Sequence, residues 1–273
     1  MPERPRIPLS NPEISGNEWL YVKKCLDSAW VSSAGSYVNE FEKNLSGMVN
    51  KQHVVATSSG TAALHLALLS LNIGAGDEVL VSDLTFAAPL NTIRYCGAEP
   101  ILVDSDRESW QLDPELIREF LRKQCARSTR GLINQTSGRR VAAILPVHIL
   151  GHPGPESQIS ELASEFDLFV IDDISETLGA KVRGRPVGGG ATVACYSFNG
   201  NKIVTAGGGG ALATNESAVA ERAFYLSTQA KDDPIFYGHN EIGYNYRLTN
   251  LQAALAVAQL ERLEEFVERK RAI

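Results

Sequence analysis

From residue 53 onward, short uninterrupted apolar runs alternate with segments of helical spacing, and this alternation constrains the fold more than any other feature of the chain. The runs His53 to Thr57, Glu78 to Ser82, Pro100 to Asp104, Val141 to Leu145, Leu168 to Asp172 and Thr192 to Ser197 are expected strands. Between them, Thr61 to Leu71, Pro89 to Cys96, Pro114 to Lys123 and Glu156 to Phe166 place apolar residues three and four apart, as helices do. A strand rich in Val, Ile, Leu and Ala, with no polar residue at alternate positions, is buried on both faces and needs helices above and below it. The expected fold is therefore α/β, a three-layer α/β/α sandwich around a mostly parallel central sheet. Two helices, Gly16 to Ser28 and Ser36 to Val49, are expected before this core, with residues 29–35 as a turn or linker. The polar stretch Cys125 to Arg140 reads as a surface excursion. Leu251 to Ile273 reads as one amphipathic helix that reaches the last residue without a Gly or Pro stop, as a shortened chain would.

With 273 residues and 44% hydrophobic content, the chain can bury a sizeable core. A net charge of -6 gives no general electrostatic reason to bind nucleic acid or an anionic membrane, since phosphate backbones are held by excess Lys and Arg. The opening Met1 to Pro5 carries charge and proline where a leader has an apolar stretch. No later stretch approaches the roughly 20 apolar residues that span a bilayer. Cys25, Cys96, Cys125 and Cys195 lack C-x-x-C spacing, so reduced, packed thiols in a cytoplasm are expected.

In open parallel sheets, ligands gather beyond the carboxyl ends of the strands, and four clusters fall there. Thr57 to Thr61 follows one strand and opens a helix, so its hydroxyls and free N–H groups suit either a phosphate or an ordinary N-cap. Ser82 to Ala88 follows another, and Phe86 there is either a core residue or a ring that stacks on an aromatic cofactor. The strand at Phe169 ends in Asp172 and Asp173. An acid in that place can hold a pyridine nitrogen protonated, can bind metal, or can simply cap; the lack of a nearby His or Cys set with ligand spacing weakens metal. The fourth cluster, Tyr196 to Lys202, is followed by Gly207 to Gly210. A lysine just after a buried strand, in a segment otherwise without charge, is poorly placed as a surface residue, and burial lowers an amine toward nucleophilicity. The four glycines come after the lysine and lack G-x-G-x-x-G spacing, which counts against a dinucleotide-binding oxidoreductase.

In this order the clusters resemble the fold-type-I pyridoxal-phosphate enzymes. More narrowly, Ser59 to His65, Leu84 to Ala88, Pro146 to His148, Ser197 to Lys202 and Asn245 to Arg247 resemble the nucleotide-sugar aminotransferases of the DegT type. Within that family, Gly16 to Trp19, Trp30 to Ser33, His148 to His152 and Gly207 to Gly210 are similar to the branch that makes 4-amino sugars for legionaminic-acid-like nonulosonates. The resemblance implies pyridoxal phosphate as cofactor and Lys202 as its Schiff-base lysine. It further implies Asp173 on the pyridine nitrogen, Phe86 on the ring, and Ser59, Gly60, Thr61 and Ser197 on the phosphate. Glu176 falls near the cofactor hydroxyl, and Asn199 lies within the lysine motif. Asn245 and Arg247 match a segment that serves the neighbouring subunit, which implies a homodimer with shared active sites. Asp172 stands where Glu is commoner, and Ser59 where this branch often has Asn.

The implied organisation is a cofactor-binding large domain over 1–248 and a connecting helix over 249–273, leading toward a small C-terminal domain. The implied reaction takes the amino group of L-glutamate to a nucleotide-linked 4-keto-6-deoxy sugar, UDP-N-acetyl-4-keto-6-deoxyhexosamine in the named branch. Two alternatives stand beside it. A sugar dehydratase of the same fold would carry His where Lys202 stands, and a non-catalytic regulatory module would bind no cofactor. His148 is a candidate for a place near the substrate, whereas His53, His65 and His152 read as packing or surface residues. Tyr244 and Tyr246 are open between packing and contact, and Arg94, Arg183 and Arg185 between surface and diphosphate.

Overall fold

The computed structural model describes residue 8 and residues 10–233 and 235–273, so the opening at 1–5 lies outside the described residues. The elements run α1 (Glu18–Asp27), α2 (Ser36–Val49), β1 (His53–Thr57), α3 (Gly60–Ser70), β2 (Asp77–Ser82), α4 (Ala87–Tyr95) and β3 (Glu99–Val103). There follow α5 (Pro114–Gln124), β4 (Cys125–Ser128), β5 (Gly131–Asn134), β6 (Arg140–Leu145), α6 (Glu156–Phe166) and β7 (Phe169–Asp173). The last are β8 (Lys181–Val182), β9 (Arg185–Pro186), β10 (Val193–Ser197), β11 (Gly210–Thr214), α7 (Ser217–Ser227), α8 (Asn250–Leu260) and α9 (Leu263–Arg271). Each of the six expected strands forms, with its ends moved by no more than a residue.

The main sheet has the order β1-β11-β10-β7-β6-β2-β3. Its strands from β10 to β3 run parallel, and β11 alone is reversed, pairing antiparallel with both β10 and β1. Alternation along the strands divides the core. Val55, Val193, Cys195 and Leu212 pack under α3 and α7, while Ala56, Ala194, Tyr196, Ala211 and Ala213 pack on the opposite face with α2 and α8. Leu80, Val141, Ile144 and Val170 meet α5 and α6. Helices therefore cover both faces, as the unbroken apolar runs require. Helix α3 lies deepest, with Ala62, Leu64, Leu66 and Leu68 all buried, and its apolar surface is continuous around the axis as in a core helix.

Three expectations need correction. Strand β11 was not foreseen, because Gly-Ala-Leu-Ala-Thr has neither β-branched alternation nor aromatic residues before its last position, yet all five residues are buried in the sheet. The polar stretch 125–140 is a hairpin, not a plain excursion: β4 pairs with β5, and β5 joins the start of β6 through Ile133 and Arg140. Its polarity suits a sheet margin open to solvent on one side. Residues 251–273 form two helices rather than one. The capping box of Thr249 and Gln252 starts α8, and the backbone leaves helical geometry at Arg262 before α9 begins.

Candidate functional site

The parallel strands deliver their carboxyl ends to one edge of the sheet, and because β11 is reversed it contributes its first residue there. Thr57 of β1 and Ser197 of β10 both stand opposite Gly210. A Cβ on Gly210 would lie 2.4 Å from the carbonyl of Ser59, and one on Gly60 would lie 2.8 Å from the Ser197 Cβ. Glycine at both positions lets the β1–α3 turn sit directly on the ends of β10 and β11. In that turn the Ser59 hydroxyl accepts from Ala62 N–H at 3.0 Å as the α3 N-cap, which leaves its own proton to donate, and Thr57 Oγ1 donates to the Ser59 carbonyl at 2.9 Å. The half-buried start of an eleven-residue helix, flanked by the hydroxyls of Thr61 and Ser197, favours an anion.

Asp173 closes β7 on the same side. It is 5% exposed, and its carboxylate accepts from Ser175 N–H at 3.0 Å. Burial pushes its carboxyl above the usual range, while the hydrogen bonds from Ser175 and the charge of Lys202 pull the other way. Lys202 lies in the loop that reverses β10 into β11. That loop is closed by Phe198 N–H to Gly209 O at 2.9 Å and Ala206 N–H to Phe198 O at 2.8 Å. The lysine side chain is mostly covered, and its Nζ stands 3.5 Å from Glu176 Oε1. The other Glu176 oxygen accepts from Leu150 N–H at 2.8 Å, which fixes the carboxylate beside the amine. The lysine thus faces an acid, where the sequence alone pointed to an uncharged surrounding.

Ser59, Gly60, Thr61, Phe86, Asp173, Glu176, Ser197, Asn199 and Lys202 line one cavity of about 330 Å³. Phe86 is 78% exposed at its rim, a large apolar ring with little covering it. Val147, Ile149, Ser175, Asn201, Gly208 and Gly209 also line it and were not foreseen. Asn201 sits beside Lys202 in the lysine motif, Val147 is the middle residue of the proline-valine-histidine motif, and Ile149 follows it. At Lys202, Glu176, Ser175 and Asn201 this cavity meets a second, of about 580 Å³, whose outer wall carries Lys181, Lys270 and Arg271. An anion-binding helix start at one end, a buried acid at the other, an exposed aromatic ring and an amine between them fit the donors and acceptors of pyridoxal phosphate.

Other candidates lie elsewhere. Asn245 is exposed and lines neither cavity. Arg247 turns inward, its guanidinium 2.9 Å from Glu42 and 3.0 Å from the Ala56 carbonyl. Tyr244 and Tyr246 stack on each other at 5.0 Å and pack with His65. Arg94 is paired with Glu99, and Arg183 and Arg185 line a separate cavity. His148 is not at the substrate side. It is 1% exposed and faces Asp172, with 3.5 Å between Nε2 and Oδ2. Asp172 and Asp173 point to opposite sheet faces because successive strand residues do. His148, Asp172 and Glu156 gather with possible ligand atoms within 4.8 Å of one another, a grouping hidden by their sequence spacing. The His148 Nδ1 accepts from Gly154 N–H at 2.8 Å, so the ring proton is on Nε2 and points at the acids. That tautomer aims the His148 N–H toward Asp172 across 3.5 Å, without a formed hydrogen bond, and leaves no lone pair on Nε2 for a metal.

Comparison with known proteins agrees with this geometry. The chain is 42% identical over 267 residues to the GDP-perosamine synthase of Escherichia coli O157:H7, a match covering 98% of the chain and 69% of that relative. A DegT DnrJ EryC1 StrS aminotransferase from Brucella abortus superposes with a TM-score of 0.83 at 28% identity, over 91% of this chain and 64% of the other. DesI, solved in the presence of its TDP-sugar product, gives 0.81 at 29% identity, over 96% and 62%. The chain thus spans about two thirds of the length of the relatives it matches. The family profile itself matches residues 12–273, a span that contains every element of the cavity, and pyridoxal phosphate is the cofactor of that family. With the helix-start turn, the buried Asp173 and the covered Lys202 all inside this match, the chain belongs to the DegT/DnrJ/EryC1/StrS aminotransferase family.

Proposed function

We propose that this chain carries the cofactor site and catalytic lysine of a transaminase that moves the amino group of L-glutamate to the keto carbon of a nucleotide-linked 4-keto-6-deoxy sugar. The observation that carries the reading is the placement of Lys202 at the junction of two cavities, one ending in Asp173 and the other walled by Lys181, Lys270 and Arg271. The first has the size and polarity for the cofactor. The second is wide enough for a sugar nucleotide, and its basic wall suits a diphosphate.

When bound, pyridoxal phosphate supplies the carbonyl that receives the amino group and the ring that withdraws electrons from the reacting carbon. Ser59, Gly60, Thr61 and Ser197 would hold its phosphate, Phe86 would cover its ring, and Asp173 would hold the ring nitrogen. Lys202 would anchor it. The Lys202 amine would take the proton from the α-carbon of glutamate and hand it to the cofactor carbon two bonds away across the nitrogen, and in the second half-reaction would carry a proton from that carbon to the sugar carbon. Glu176 keeps that amine at the junction of the cavities.

The family name and the names of relatives support a nucleotide-sugar acceptor. The resemblance to the nonulosonate branch implies a UDP-linked sugar, whereas the relatives named for GDP-perosamine support a GDP-linked one. Asn245, exposed away from the cavity of its own chain, fits a homodimer in which each copy completes the other's site. Four free thiols support a reducing, cytoplasmic setting. Among the described residues, no helix is long and apolar enough to cross a membrane.

The test is a glutamate-dependent assay on UDP-, GDP- and dTDP-linked 4-keto-6-deoxy sugars, scored by product mass, with borohydride reduction to map the cofactor to a peptide. Transfer to at least one sugar and a cofactor adduct on Lys202 are expected. An adduct on another residue, or transfer by the Lys202→Ala variant, sinks the reading, and activity confined to GDP-linked sugars removes the UDP-linked acceptor.

A further inference from the structure

Glu18, the first residue of α1, is 3% exposed and forms no direct ion pair among the described residues, with Arg262 acting on it only through space. Its carboxylate accepts from Gly16 N–H at 2.7 Å and from Gln259 Nε2 at 2.5 Å. Gln259, on α8 and 1% exposed, also donates Nε2 to the Glu13 carbonyl at 2.7 Å. Its Oε1 faces Thr205 N–H at 3.4 Å. Thr205 lies three residues beyond Lys202, and its hydroxyl accepts from Gly207 N–H at 2.9 Å. The same N-terminal segment touches the loop once more, where Ser10 Oγ donates to the Asn201 carbonyl at 3.2 Å. From the cavity side, the lysine side chain has only the longer contact to Glu176.

We infer that Glu18 is a positioning residue for Lys202, acting through Gln259 on the loop that reverses β10 into β11. A primary amide can sit in either of two flipped orientations of nearly the same shape. Only one of them presents an acceptor to Thr205 N–H. An ionised carboxylate and a backbone carbonyl both accept and cannot donate, so Glu18 and the Glu13 carbonyl together require Gln259 to turn its NH2 toward α1 and its carbonyl oxygen toward the loop. A neutral side chain at position 18 packs more easily, but a glutamine there gives up the charged acceptor and leaves the Glu13 carbonyl alone to hold the amide in place. The buried acid therefore sets the direction of a hydrogen-bond chain that ends beside the lysine. The inference deepens the transaminase reading and rests on it for the chemistry, though not for the loop geometry.

The experiment compares wild type, Glu18→Gln and Gln259→Glu, in which a carboxylate on α8 meets the acceptors of Glu18 and the Glu13 carbonyl. Amide hydrogen exchange is followed in the cofactor-free protein, and the glutamate half-reaction is measured per bound cofactor. Glu18→Gln is expected to speed exchange over residues 199–206 by about tenfold while β10 and β11 keep their protection. It should also lower the half-reaction rate about tenfold with the KM for glutamate unchanged, the pattern of a displaced group and not of lost binding. Gln259→Glu, which sets acceptor against acceptor, should show larger losses in both. Exchange that rises evenly across the sheet, or a variant equal to wild type in both measurements, overturns the inference. If wild type itself does not transaminate, the reading of the preceding section fails, while the exchange pattern still decides whether Glu18 fixes the loop.

Discussion

Asp173 carries a conflict between folding and function that can be measured. Burial raises its carboxyl above the ordinary range, so the folded state binds a proton more tightly than the unfolded chain does. Stability therefore falls as pH rises from the usual carboxylate pKa, about 4, through the folded value, and at neutral pH the buried charge is a net cost to the cofactor-free protein. Asp173→Asn removes that charge. The variant is expected to melt roughly 2–4 °C higher than wild type at pH 7 without cofactor, the difference closing as pH approaches about 4, as scanning calorimetry across pH would record. The glutamate half-reaction should fall at least about a hundredfold, because a neutral amide does not hold a ring nitrogen charged. A variant no more stable than wild type at pH 7 would show that the positive charge nearby already offsets the burial. Lys202→Ala is expected to lose transamination by at least about a thousandfold, read as single-turnover keto-acid formation. Residues of this kind are legible because each follows directly on an apolar run, so the strand reading alone puts Thr57, Asp173 and Ser197 at the sheet edge. His148 was misread for the same reason: Val147 and Ile149 beside it reach the cavity, and the histidine between them turns to the other side.

At the scale of elements, two glycines with opposite surroundings predict opposite outcomes. Gly47 lies exposed in the last turns of α2, and a Cβ there meets nothing within 4 Å. Gly47→Ala should stabilise the protein by about 0.5–1 kcal/mol in urea unfolding, since alanine loses less backbone freedom on entering a helix. Gly60 begins α3 against Ser197, where a Cβ would stand at 2.8 Å. Gly60→Ala must push the helix start away from β10, and is expected to weaken pyridoxal phosphate binding about tenfold in an absorbance titration. Cofactor affinity equal to wild type would mean that the turn and the strand end are not held together by this contact. These junctions also mark how far the sequence can be read. The parallel strands announce themselves through Val, Ile and Leu, because burial on both faces leaves no other composition. Strand β11 is made of small residues since it is packed between β10 and β1 with α3 close above, and smallness reads locally as loop. The β4–β5 hairpin is polar because it lies at a margin, and a short polar strand differs little from a turn before its partner is known.

Across the whole molecule, charge is distributed unevenly in a way that bears on substrate choice. The chain carries a net charge of -6, yet the outer wall of the larger cavity gathers Lys181, Lys270 and Arg271 beside a single acid, Glu176. An anionic ligand approaching a negative protein is repelled over most of the surface and attracted at this groove, so the local field guides it toward Lys202. Screening acts on such attraction over about 8–10 Å at physiological ionic strength, and it weakens a doubly charged diphosphate more than singly charged glutamate. Raising salt from low to physiological strength should therefore increase the KM for the sugar nucleotide more steeply than the KM for glutamate. Lys181→Ala should raise the sugar-nucleotide KM about tenfold at low salt and flatten its salt dependence, since one of the charges being screened is gone. The rate at saturation should change little, because Lys181 stands on β8 at the wall and not at the reacting atoms. Steady-state kinetics over a salt series, with each substrate varied in turn, separates these effects. A Lys181→Ala variant with unaltered KM and salt slope would place the diphosphate elsewhere, and the 580 Å³ cavity would then have to admit the sugar from another side.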